Sequence, residues 1–158
     1  MALATGDLAP NFEALCGDGE TFRERTLEES LGPRGGVLVF DGFVFSAIAE
    51  NWWKRYDRAD WDAFDGVSVY GVVRDGPYSI NAFLRGIESP FAIFSDLSGD
   101  VGDTYGLLTE RDGMAGLSTS MRAVFVLDAD REVQYAWIGD DWISPVPRVD
   151  VESAVEEL

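Results

Sequence analysis

Histidine is missing from this 158-residue chain, and cysteine and lysine occur once each, as Cys16 and Lys54. Without histidine there is no Ser-His-Asp or Cys-His pair and no histidine-ligated zinc. A single cysteine likewise excludes a CxxC dithiol, a four-cysteine zinc site and any internal disulfide. Long apolar runs are absent too: nothing approaches the roughly 20 residues that cross a bilayer. The start, Met1-Ala-Leu-Ala-Thr-Gly-Asp7, has no basic segment leading into an apolar one. A soluble protein of the cytoplasm is therefore expected.

Basic residues are scarce as a class. Only 12 Lys and Arg face 29 Asp and Glu, for a net charge of −17. Such a field repels phosphate backbones and anionic lipid, so neither nucleic acid nor a membrane surface is an expected partner. The acid runs from Asp7 to Glu157 rather than gathering in a tail, which is the pattern of a uniformly solvated surface. Self-repulsion weakens a compact state at low ionic strength, whereas molar salt shrinks the screening length to roughly 3 Å. Together with the near absence of lysine, this points to a halophilic protein.

What is present is enough to fold. Apolar residues make up 46% of the chain and include five Trp, five Tyr and ten Phe, well above the level at which high charge prevents collapse. The length suits one domain, residues 1–158. Alternation over 11–15, the turn Gly17-Asp-Gly19 and Thr21-Phe22 predict an opening β-hairpin. A short helix is expected over Thr26–Leu31, and Gly36–Phe40 reads as a strand buried on both faces.

Apolar residues at 48, 49, 52, 53, 56, 61 and 64 predict one long helix over Ser46–Phe64. Val67–Val73 is a second buried strand, and Pro77 opens a helix that Tyr78–Leu84 carries. A short strand over Phe91–Phe94, a helix over Gly99–Tyr105 and a polar loop over Thr109–Ser118 come next. Met121–Leu127 and Glu132–Ile138 predict a hairpin turning at Asp128–Arg131, and Val151–Leu158 a closing helix. This order describes an α/β fold of three layers, α/β/α, with a central mixed sheet behind an N-terminal β-hairpin, which is the thioredoxin order.

Few side chains offer chemistry. The pairs Asp140-Asp141 and Asp128 with Asp130 are acid at surface turns, the alternative being cation ligands or a carboxylate dyad. Gly35-Gly36 and Gly113 to Gly116 precede no helix bearing lysine and a hydroxyl, so a phosphate loop is excluded. No metal and no cofactor are expected. Trp52, Trp53, Tyr56, Trp61 and Phe64 exceed one buried stripe, leaving open core packing or a dimer interface. Cys16 reads as an incidental turn thiol whose acidic neighbours Glu13, Asp18 and Glu20 disfavour thiolate, the alternative being a redox thiol.

Four segments resemble the peroxiredoxins, the alkyl hydroperoxide reductase and thiol-specific antioxidant family. They are Gly6-Asp-Leu-Ala-Pro-Asn-Phe12, Val37 to Asn51, Phe94-Ser-Asp96 through Tyr105-Gly106, and Arg122-Ala-Val-Phe-Val-Leu-Asp128. The family motif, proline, three residues, threonine or serine, two residues and cysteine, falls here on Gly42, Ser46 and Ala49. The resemblance implies a thioredoxin-like fold. It also implies a peroxide site in which Ser46 stands beside the substrate and Arg122 lowers a thiol pKa and orients the oxygens.

At the nucleophile position the sequence departs from the family. The methyl group of Ala49 can neither attack a peroxide oxygen nor be oxidised by it. Gly42 in place of proline and Asp41 beside it suit a thiolate no better. The expectation is a non-catalytic member kept as a binding, regulatory or partner module, as a homodimer or with a related redox protein. The alternative is an antioxidant oxidoreductase working through Cys16 or a partner's thiol.

Overall fold

The computed structural model describes residues 1–158. Seven strands form one twisted sheet: β1 (Glu13–Gly17), β2 (Phe22–Thr26), β3 (Gly35–Phe40), β4 (Val67–Val73), β5 (Ala92–Ser95), β8 (Ala123–Asp128) and β9 (Val133–Ile138). Their order across the sheet is β2-β1-β5-β4-β3-β8-β9. Strands β3, β4 and β5 run parallel, while β1, β2, β8 and β9 join antiparallel, so the sheet is mixed as expected.

Alternation along the central strands sends side chains to two separate cores. Val37 and Val39 of β3 point to one face, where α2 (Ala47–Arg58), α3 (Pro77–Gly86) and α5 (Arg148–Glu156) cover them. Leu38 and Phe40 point to the other, against α1 (Leu27–Ser30) and α4 (Asp100–Thr104). The result is the three-layer α/β/α arrangement, with every residue of β3 buried. No helix is long and apolar enough to cross a membrane.

Several boundaries differ from the sequence reading, each for a local reason. The long helix ends at Arg58 because Asp60 adopts a left-handed backbone (φ 59°); a 3-10 turn over Trp61–Ala63 follows. Trp61 still lies in the core, stacked on Tyr56 at 4.2 Å and donating from Nε1 to Glu152 at 3.0 Å. Its apolar spacing therefore extended the helical pattern through a turn. The expected loop over Thr109–Ser118 contains the ends of a two-stranded hairpin, β6 (Leu108–Glu110) with β7 (Ser118–Ser120). Three-residue strands of mixed polarity carry no period that a sequence could show. Helix α5 begins at Arg148, three residues before Val151, directly after Pro147.

Candidate functional site

The site is built at the carboxyl ends of the parallel strands, where β3 hands the chain to α2. Backbone and side-chain bonds fix the connecting loop. Asp41 N–H donates to Val72 O at 3.1 Å, Arg74 N–H to Gly42 O at 3.0 Å, and Val44 N–H to Asp75 Oδ1 at 2.9 Å. Burial raises the Asp75 pKa above the usual carboxylate value, and the bond from Val44 opposes that rise.

Ser46 is the N-cap of α2. Its Oγ accepts from the Ala49 N–H at 3.2 Å and donates to Phe43 O at 3.0 Å. Ala49 thus sits in the first turn of the helix, and none of its surface is exposed. One turn further on the same helix face lies Trp53, whose indole Nε1 donates to Asp41 Oδ2 at 3.1 Å.

Asp41 is buried, and desolvation pushes its pKa up to about 6 against the opposing pull of Arg122 and Trp53. Arg122, immediately before β8, is only 2% exposed, and its Nε lies 3.9 Å from Asp41 Oδ1. That distance is attraction without a hydrogen bond, and Arg122 Nε has no hydrogen-bond partner. The guanidinium instead donates from Nη1 to Ser144 O at 2.6 Å, and Trp137 flanks it at 5.6 Å. Tyr56, on α2, faces the same pair, and burial raises its pKa well above the usual phenol value.

Gly42 lies beneath Arg111, whose Nη1 is 2.8 Å from the point a Cβ would occupy. Arg111 in turn stacks over Trp142 at 3.8 Å. The structure therefore gathers Gly42, Ser46, Ala49 and Arg122 at one end of the sheet, with Asp41 as the link between α2 and β8.

Cys16 is elsewhere. It lies within β1 rather than in the turn, is buried, and packs in the core on the opposite face of the sheet from Ala49. Its pKa is pushed up to about 12, chiefly by burial, with Arg25 opposing and Asp18 assisting. This corrects the cause expected from the sequence: desolvation, not the acidic neighbours, suppresses the thiolate. The aspartates hold turns. Asp128 Oδ1 accepts from Asp130 and Glu132 N–H, both at 2.9 Å, and Asp141 Oδ1 accepts from Ile143 N–H at 3.0 Å and Ser144 N–H at 2.6 Å. No group of three or more acidic or cysteine side chains converges as metal ligands would.

Trp53, Arg111, Trp142 and Ser144 did not emerge from the sequence as members of this site. Trp53 read as one of several core aromatics, and Ser144 takes part through its backbone carbonyl, which no side-chain motif reveals.

Solved structures are similar to the chain over nearly all of its length, and a sequence relative over less than half of it. Peroxiredoxin 2 of Thermoplasma acidophilum is 33% identical over 76 residues, an alignment spanning 44% of this chain and 36% of that protein. Among solved structures, the peroxidoxin BcpB of Mycobacterium tuberculosis superposes with a TM-score of 0.79 at 21% identity, covering 98% of this chain and 97% of that one. A cysteine-to-serine mutant of the peroxiredoxin 6 of Arenicola marina gives a TM-score of 0.84 at 16% identity, covering 98% and 73%. A model of the AhpC/TSA family matches residues 5–136, and the chain belongs to that family.

Proposed function

We propose that this protein is a peroxiredoxin-like family member without a peroxidatic cysteine, retained as a non-catalytic binding, regulatory or partner module. The observation that carries the reading is Ala49. It occupies the first turn of α2 directly behind the Ser46 cap, where the family motif calls for the nucleophile, and it offers only a methyl group. The surroundings support it. Trp53, one turn along the helix from Ala49, bonds the buried Asp41 carboxyl, a charge that disfavours a nearby thiolate, and the Arg122 guanidinium is engaged by Ser144 O.

The only thiol supports it as well. Cys16 is on the far face of the sheet, is 4% exposed and is held protonated by burial. The acidic composition supports a salt-rich cytoplasm as its setting, where it acts as a homodimer or with a related redox protein and without a cofactor.

The test is peroxide consumption in molar salt with a thiol reductant, using wild type, Cys16→Ser and Ala49→Cys in the Cys16→Ser background. Wild type and Cys16→Ser are expected to match the protein-free blank. The Ala49→Cys protein gains weak turnover where Ser46 and Arg122 still serve a thiol. Wild-type turnover that disappears in Cys16→Ser overturns the reading in favour of an antioxidant oxidoreductase.

A further inference from the structure

Arg23 and Arg25 of edge strand β2 stand opposite Cys16 and Ala14 of β1, so all four side chains share the face of the sheet turned away from Ala49. Glu24, between the two arginines, points to the other face. Two cations therefore lie side by side, roughly 7 Å apart along the strand. Neither joins an ion pair, although the chain carries 29 Asp and Glu; the pairs are Lys54 with Glu50, Arg122 with Asp41 and Arg148 with Glu152.

Charged residues on an edge strand also discourage pairing between molecules. That role needs only exposed heads, and Arg25 is not one. Its side chain folds inward across the sheet, with the guanidinium 5.5 Å from the centre of the Tyr70 ring on β4 and Nε buried without a hydrogen-bond partner. Arg23, Arg25, Cys16 and Ala92 line a cavity of about 40 Å³, room for roughly three water-sized groups. Ala92 also lines a second cavity, of about 210 Å³, together with Tyr70, Pro90 and Phe91. The local charge is unbalanced. The fields of both arginines reach Cys16 and Tyr70, and Asp18 is the one carboxylate that reaches either. Asp18 is committed to its turn, its Oδ1 accepting from Glu20 N–H at 3.0 Å and Thr21 N–H at 2.9 Å. Cys16, held as the neutral thiol by burial, adds no negative charge.

We infer that Arg23 and Arg25 form a binding site for a phosphoryl dianion, free or carried by a small monoester, held between the two guanidinium groups. A dianion offsets both cations where a carboxylate offsets one, and its tetrahedral oxygens accept from two guanidinium forks at once. The net charge of −17 acts against polyanions at long range. In molar salt that field is screened within roughly 3 Å, so a small ligand meets only the local pair. The site lies on the opposite face of the sheet from Ala49 and goes beyond the reading of catalytic silence.

Inorganic phosphate, phenyl phosphate and acetate are the probes, titrated in molar potassium chloride at about pH 7.5, where phosphoryl groups are largely dianionic. The readouts are the Arg25 Nε–H and Cys16 backbone N–H signals in nitrogen-proton NMR spectra. Phosphate is expected to move both to saturation, and acetate to bind at least about tenfold more weakly. Arg23→Gln and Arg25→Gln, followed at Cys16, are each expected to weaken phosphate binding at least about tenfold. Asp18→Asn keeps the oxygen that accepts in the turn and is expected to tighten binding about threefold. Phenyl phosphate binding more tightly than phosphate assigns a monoester whose organic group lies against Ala92 and Tyr70; equal or weaker binding assigns the free ion. The proposal is overturned if neither signal responds to phosphate, if acetate binds as tightly, if the arginine variants bind like wild type, or if Asp18→Asn does not tighten binding. Peroxide turnover is not read, so catalytic silence and this site stand or fall separately.

Discussion

The indole Nε1 of Trp53 donates to Asp41 Oδ2 at 3.1 Å, tying the helix that bears Ala49 to the end of strand β3. This neutral donor and an arginine 3.9 Å away are the only groups that support the buried carboxyl, and they do not offset its loss of water. The strand end, the helix and β8 therefore meet in a polar cluster that is expensive to ionise.

Replacing Asp41 by Asn should alter the pH dependence of stability. The folded pKa of about 6 lies above the ordinary value of 3.8, so the stabilisation from this group is complete below the ordinary value and is lost as pH rises through about 6. A shift of this size corresponds to at most about 3 kcal/mol. Denaturant titrations in molar salt are expected to show Asp41→Asn more stable than wild type at about pH 7.5, with the difference vanishing towards about pH 4. Parallel curves for the two proteins would refute the assignment.

Ser46 caps α2 through the Ala49 N–H, so Ser46→Ala should lower stability by about 1 kcal/mol, whereas Ser46→Asp should retain most of it. The midpoint of chemical unfolding measures both. A null effect of Ser46→Ala would mean that the cap bond is not populated.

Two glycines near the site should respond unequally to alanine. At Gly71, in β4, a Cβ would lie 2.6 Å from Trp53 Cζ2 and 3.0 Å from Ile93 Cγ1, both buried, so Gly71→Ala is expected to cost about 1–3 kcal/mol. At Gly42 the nearest atom is the flexible end of Arg111, 2.8 Å away, and Gly42→Ala is expected to stay within about 0.5 kcal/mol. Thermal unfolding of the pair separates a packed indole from a movable guanidinium.

Native Cys16 should resist thiol reagents. With its pKa raised from 9.0 to about 12, its thiolate fraction at mildly alkaline pH falls about a thousandfold, before steric protection is counted. Alkylation by a neutral reagent is expected to become fast only in denaturant. Rapid labelling of the folded protein would make the thiol available for redox work after all.

Apart from the β6–β7 hairpin and the turn after Arg58, the sequence by itself determined the strand and helix order, because buried strands such as Val67–Val73 and the heavily apolar face of α2 carry their own periodicity. It also determined that histidine chemistry, a four-cysteine zinc site and an internal disulfide are impossible. The cap made by Ser46 was not read from the sequence, where the expected helix began at that residue; it is the structure that sets Ser46 just before the helix and bonds its hydroxyl to the Ala49 N–H.

Tertiary structure alone decided what surrounds that alanine. Asp41 and Trp53 are 12 residues apart, and Arg122 and Ser144 are 22 apart, and neither pairing follows a local repeat. The break at Asp60 was hidden because Trp61 kept its place in the core on a turn instead of a helix. Cys16 and Ala49 ended on opposite faces of the sheet because the pairing of β1 turns Cys16 to one face, while α2, which bears Ala49, packs on the other.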